Sequence, residues 1–268
     1  MSRTVFGTIF AFALLLALPA RAQSDNPANL FVEDLRGARS PDGKVEIQVF
    51  VAQPVVEGTS VLPRMAYRVL FQGKVVVETS FLGFELRAQN PLGEKPGLTK
   101  SESGSGDGFN WLISHFLQNG SQGRLYDIEA RAYDTGVAFR YHIPWSAPME
   151  YILIEDENTE FQFPGGARST AAAAAIADLP IDREFPLPFV VEQPGLPVAA
   201  ISQSGGADYP ALTLRHDTSS IQGPTLVTQL AKLKDKPWLA IDSKPPFVSP
   251  WRVITIAPLA AQLIPPMR

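Results

Sequence analysis

Residues 131–144 read Arg-Ala-Tyr-Asp-Thr-Gly-Val-Ala-Phe-Arg-Tyr-His-Ile-Pro, and their pattern decides the fold class. Upstream of the Asp-Thr-Gly signal, Tyr126, Ile128, Ala130 and Ala132 share one parity, with Asp127, Glu129 and Arg131 on the other. Downstream, Val137, Phe139, Tyr141 and Ile143 alternate with Ala138, Arg140 and His142. A period of two on both sides of a turn signal is the mark of an antiparallel hairpin with one buried face. Both apolar sets reach the same core if Ala132 faces Val137, which leaves residues 133–136 as a four-residue loop around a type I turn. Gly136 supplies the left-handed conformation that closes it. That register sets Glu129 against Arg140 and Asp127 against His142, pairs worth about 0.2–1 kcal/mol each.

Outward from this hairpin, strand-like segments recur along the chain: residues 45–52, 67–70, 74–78, 81–86, 111–116, 151–154, 160–163, 198–202, 212–214, 226–230, 238–241 and 251–256. With 24 prolines and 20 glycines punctuating them, they predict an all-β protein, a large sandwich of antiparallel strands with little helix. Residues 171–177 are the best helix candidate, and could equally be a loop. Residues 90–109, with their Ser-Glu-Ser-Gly-Ser-Gly-Asp-Gly run, read as a long loop, and residues 164–197 as a crossing between sheets.

Three segments divide the chain. Residues 1–22 read as a secretory signal peptide, with Arg3 in a positive start, an apolar stretch over residues 5–18 and Ala20-Arg21-Ala22 as a cleavage site. Residues 23–257 form the domain, and residues 258–268 a linker or tail. The apolar stretch is shorter than the roughly 20 residues of a membrane span, so the expected product is exported, periplasmic or extracellular, with no membrane span after cleavage. Without Arg3 and Arg21, 21 basic and 27 acidic side chains remain, a net of −6. Such a balance offers no electrostatic footprint for nucleic acid. The chain has no cysteine, so stability rests on burial, and thiol chemistry and Cys-ligated zinc are excluded.

The chain carries no nucleophile elbow, Walker loop, dinucleotide fingerprint or His-Glu-x-x-His motif. His115, His142 and His216 are far apart in sequence and read as solvent-facing or hydrogen-bonded strand residues. Glu155, Asp156 and Glu157 are consecutive, so a single strand sends them to alternate faces. They cannot by themselves form the paired carboxylates of glycoside hydrolysis, and a solvated edge or turn is the expected setting. Asp107 between glycines reads as a turn tip, with calcium binding through loop oxygens as the alternative. Trp111, Trp145, Trp238, Trp251, Tyr126, Tyr133 and Tyr141 are assigned to the core, where strand aromatics usually pack, rather than to sugar stacking.

Six blocks in order give the chain a family likeness: Ser40-Pro41-Asp42-Gly43-Lys44; Gly73-Lys74 leading to Ser80-Phe81-Leu82-Gly83; Tyr133 through Tyr141; Glu157, Thr159, Phe161, Phe163 and Pro164; residues 201–210; and Ser249-Pro250-Trp251-Arg252-Val253-Ile254. Over nearly the whole mature length the sequence resembles the N-terminal domain of glycoside hydrolase family 97, calcium-dependent α-glucosidases and α-galactosidases. The resemblance implies a galactose-mutarotase-like β-supersandwich, joined in the family to a catalytic (β/α)8 barrel that holds the acid and the base or nucleophile. It also implies carbohydrate, an α-glucoside or α-galactoside, or a catalytic-barrel chain as partner. Only 14 residues follow Ile254, far short of the roughly 250 of a barrel. The expectation is therefore a non-catalytic domain with no cofactor of its own, or alternatively the N-terminal half of a split or truncated enzyme. In the family a glutamate that helps hold the active-site calcium usually stands where this chain has Gln203. A neutral amide brings no charge to such a site. The edge carrying Gln203, Asp208 and Tyr209 is the expected carbohydrate- or partner-facing region, with Gln203 the one residue at a metal-ligand position. Gly205 and Gly206 replace bulkier family residues and fit a site no longer maintained.

Overall fold

The structure, a computed structural model, describes residues 29–264 except 57, 119–122 and 147–148. Residues 1–22, the expected signal peptide, lie outside the described residues, as does the end of the tail.

The hairpin occupies the middle of the molecule. Strands Arg124–Tyr133 and Gly136–Ile143 pair with Val137 opposite Ala132, Arg140 opposite Glu129 and His142 opposite Asp127, as the parity predicts. Tyr133 and Gly136 are themselves paired, so the connection is tighter than a four-residue loop and only Asp134 and Thr135 lie outside the ladder. Gly136 has φ +149°, and a Cβ there would lie 2.2 Å from the Ile254 carbonyl oxygen. Glycine is thus demanded by the approach of the neighbouring strand as well as by the turn. Asp134 serves the turn, accepting the Asp42 backbone N–H at 2.9 Å, so two of the six sequence blocks meet there.

Around the hairpin a ten-stranded antiparallel sheet runs outward through Trp251–Ala257, Val198–Ser204 and Phe189–Glu192 on one side and through Phe109–Gln118 and Pro96–Gly106 on the other. A second sheet contains Asn29–Arg39, Val45–Val56, Arg64–Phe71 and Lys74–Phe81. It packs on the inner face of the first, where the Tyr67 and Phe139 ring centroids are 4.6 Å apart. A three-stranded sheet (Phe84–Leu86, Ile152–Glu157, Ile241–Ser243) and a four-stranded sheet (Glu160–Phe161, Thr225–Leu230, Leu212–Asp217, Glu184–Pro186) close the remaining sides. One contiguous apolar core joins them, including Tyr126, Ile128, Val137, Phe139 and Ile143 from the hairpin. The protein is an all-β sandwich. Among the described residues no helix is long and apolar enough to cross a membrane.

Four sequence expectations need correction. The supposed loop 90–109 contains the eleven-residue strand Pro96–Gly106. Its small residues hid it, but a Cβ on Gly104 or Gly106 would lie 2.6 Å from the Trp111 ring or 2.5 Å from the Phe109 ring. Each aromatic lies across the cross-strand glycine and supplies the side-chain cover that the glycine lacks. Residues 171–177, read as a helix or equally a loop, take the second setting, with turns, the two-residue strand Ala174–Ala175 and the start of a 3-10 turn. The segment 81–86 breaks at Leu82 and Gly83, where the chain passes between sheets, and 238–241 becomes strand only at Ile241. Finally, Trp145 and Trp238 are 68% and 51% exposed rather than in the core.

Candidate functional site

Strand parity makes an internal charge here. On Trp251–Ala257, Arg252 alternates with Ile254 and Ile256 and faces inward, opposite Phe139 on one neighbour and Gln203 on the other. A cation at a core position requires a partner. Glu157 supplies it from the three-stranded sheet, where a register shift after Ile154 turns the carboxylate inward. Both side chains are fully buried. Arg252 Nε donates to Glu157 Oε1 at 2.8 Å, and Nη2 donates to Oε2, a bidentate pairing. Burial disfavours the guanidinium charge, but Glu157 outweighs it and the Arg252 pKa is raised.

The pair sits within a wider network. Tyr209 Oη donates to Glu157 Oε2 at 2.8 Å and Thr159 Oγ1 donates to Oε1 at 2.6 Å. Since Thr159 spends its proton on the carboxylate, it accepts from the Tyr141 hydroxyl at 2.6 Å, which in turn accepts the Gly83 N–H at 3.1 Å. Burial, reinforced by the Glu157 charge, pushes both the Tyr141 and Tyr209 phenols above the ordinary tyrosine range. Arg252 Nη1 reaches out to Gln203 Oε1 at 3.1 Å. The acidic trio is thus dispersed. Glu155 meets Arg87 at the surface, Asp156 takes the Leu230 N–H and Lys232, and Glu157 is internal rather than solvated as expected. The sequence signal for this centre is a charge at core parity, Arg252 alternating with Ile254 and Ile256.

The network ends at a cleft of about 580 Å³. Tyr209, Phe247 and Pro250 are among its apolar walls, with Asp208, Lys232 and Asp242 among its polar residues. The Tyr209 and Phe247 centroids are 6.3 Å apart. Asp208 is exposed, whereas Tyr209 and Gln203 are half-buried. Gly205 and Gly206 both take left-handed backbone (φ +83° and +75°), and a Cβ on Gly206 would lie 2.2 Å from Pro250 Cγ. The glycines are therefore required by the bend that brings residues 207–209 back over the sheet.

Gln203 does not fit calcium in this setting. Its one acceptor oxygen faces a guanidinium, and among the described residues no three His, Asp or Glu side chains are placed to hold a metal ion. The histidines are also divided. His115 and His142 share Asp127, each with Nδ1 2.8 Å from a different carboxylate oxygen, while His216 is buried in the four-stranded sheet.

Residues 38–265 match the family described as glycosyl-hydrolase 97 N-terminal. The chain belongs to that family. No curated protein matches it. Among solved structures, this family 97 domain is similar to a glycoside hydrolase family 97 enzyme from Pseudoalteromonas sp. strain K8 in complex with acarbose (TM-score 0.67, 22% identity, 83% of this chain and 36% of that one). The same organism's enzyme in complex with panose gives TM-score 0.69 and 23% identity, with the same coverage. A β-arabinopyranosidase gives TM-score 0.67 and 20% identity over 83% of this chain and 40% of that one. These likenesses establish the fold, and the chain spans well under half the length of each of these enzymes.

Proposed function

We propose that this family 97 N-terminal domain binds carbohydrate at the 203–210 edge and performs no glycosidic cleavage by itself. The observation that carries the reading is the cleft beside Tyr209. An aromatic and proline wall suits the apolar face of a sugar ring, and Asp208 and Asp242 offer acceptors for its hydroxyls. Tyr209 is held there by Glu157, so the wall is preorganised. The acarbose and panose complexes of the family 97 structures support carbohydrate as the ligand class. Glu157, the acidic residue in the most specific chemistry-bearing setting, is neutralised by Arg252 and has no role as acid or base in this account.

Calorimetric titration with panose tests it. Saturable heat that falls in Asp208→Ala is expected; no heat, or heat unchanged in that variant, removes the edge from the binding site. Aryl α-glucosides and α-galactosides should give no turnover above blank, and turnover that persists through further purification would overturn the non-catalytic reading.

A second reading makes the same edge the seam to a catalytic barrel, supported by the fraction of each relative that the chain spans. Co-elution with a separately produced family 97 barrel, abolished by Asp208→Arg, would favour it. Export is part of the proposal, supported by the residue 1–22 pattern; amino-terminal sequencing of the secreted protein should begin at Gln23.

A further inference from the structure

A second cleft, of about 460 Å³, opens where chain segments from three sheets converge. That volume falls within the roughly 300–1,000 Å³ of small-molecule sites. Its charged and amide lining includes Arg64, Glu85, Asn158, Glu160, Arg215 and Asp217. None of these belongs to the Tyr209 cleft.

Glu160 is the central group. Its residue is 6% exposed, yet its carboxylate has only distant partners: Arg64 Nη1 at 3.7 Å, and the Phe81 N–H and Ser220 hydroxyl at 3.4 Å. A buried carboxylate ordinarily takes several hydrogen bonds near 2.7–2.9 Å. Burial raises its pKa while Arg64 opposes the rise. Arg215 Nη1 likewise stands 3.8 Å from Asp217, beyond hydrogen-bond reach. Both ion pairs are spaced so that one oxygen at about 2.8 Å from each partner bridges them.

The charges select the ligand class. The carboxylates of Glu85, Glu94, Glu160 and Asp217 outnumber the two guanidinium groups and oppose an anion, while a cation at either bridging position would meet Arg64 or Arg215. A hydroxyl both donates and accepts, so it satisfies carboxylate and guanidinium alike. We infer that this cleft binds a neutral polyhydroxylated molecule, a sugar or polyol, with hydroxyls bridging Glu160 to Arg64 and Asp217 to Arg215. The inference is independent of the Tyr209 cleft.

Amide NMR of the whole chain, titrated with maltose, separates the two sites. Saturable shifts are expected at Arg215, Ser219, Ser220 and Ile221, with affinity about tenfold weaker in Arg215→Ala and reduced in the isosteric Glu160→Gln. Glucose 6-phosphate should bind this cleft less well than glucose. Absence of shifts at 215–221, shifts unchanged in Arg215→Ala, or tighter binding of the phosphorylated sugar would overturn the inference. Arg215 is surface-accessible, so its variant keeps the test valid if Glu160→Gln fails to fold. Shifts confined to 206–210 would refute this cleft and leave the proposed function standing; shifts confined to 215–221 would do the reverse.

Discussion

Two polar clusters lie on opposite faces of the large sheet. On the outer face, Glu129 meets Arg140 and Asp127 bridges His115 and His142. On the inner face, Arg252 meets Glu157 with no solvent contact. The distances are similar, but the surroundings are not. Water and salt reach Glu129 and Arg140, so losing one of them leaves the other as a solvated charge. The inner groups have no such refuge, and removing either one strands the other in the core. Position relative to the sheet, more than contact length, sets what each pair does.

The largest predicted effect breaks the inner pair. Arg252→Met should destabilise the domain by about 3–5 kcal/mol in urea unfolding. Adding Glu157→Met should recover much of that, because no buried charge then remains. A single-variant loss no larger than that of Glu129→Ala would erase the distinction between the faces. Next, Gly136→Ala strikes the hairpin turn at the centre of the large sheet. Its Cβ meets the Ile254 carbonyl oxygen, and a loss of about 1–3 kcal/mol is expected from melting curves. On the outer face, Glu129→Ala should cost only about 0.2–1 kcal/mol, with the cost shrinking in high salt.

The smallest effect is tied to pH. Hydrogen bonding to Asp127 raises the His142 pKa, with Glu129 adding to the rise while burial and Arg140 oppose it; His115 faces Asp127 from the next strand. A raised folded pKa means the stabilisation is complete below the unfolded histidine value of about 6.5 and is lost as pH rises through the folded value. The difference in melting temperature between wild type and His142→Gln should therefore narrow on going from acidic to alkaline buffer. An NMR titration midpoint at or below the unfolded value would refute this sign.

The hairpin was legible to the residue because large side chains alternating with polar ones leave only one register that buries them. The strand Pro96–Gly106 was not, since its glycines derive their cover from Phe109 and Trp111 on the adjacent strand, a relation that no local pattern carries. Gln203, Asp208 and Tyr209 do lie along one edge, but the direction of the Gln203 oxygen depends on Arg252, 49 residues away. The inward setting of Glu157 is hidden from the sequence because a register shift after Ile154 reverses its face, and alternation cannot reveal where a strand slips.

The strand Pro96–Gly106 also ends the ten-stranded sheet. An open edge of eleven residues is a template for another chain's backbone, the usual route to fibres. This one offers serines, glycines and the charged Lys100 and Glu102 in place of an apolar strip. The low side-chain bulk that concealed the strand in the sequence also leaves this margin without the apolar strip on which such recruitment depends.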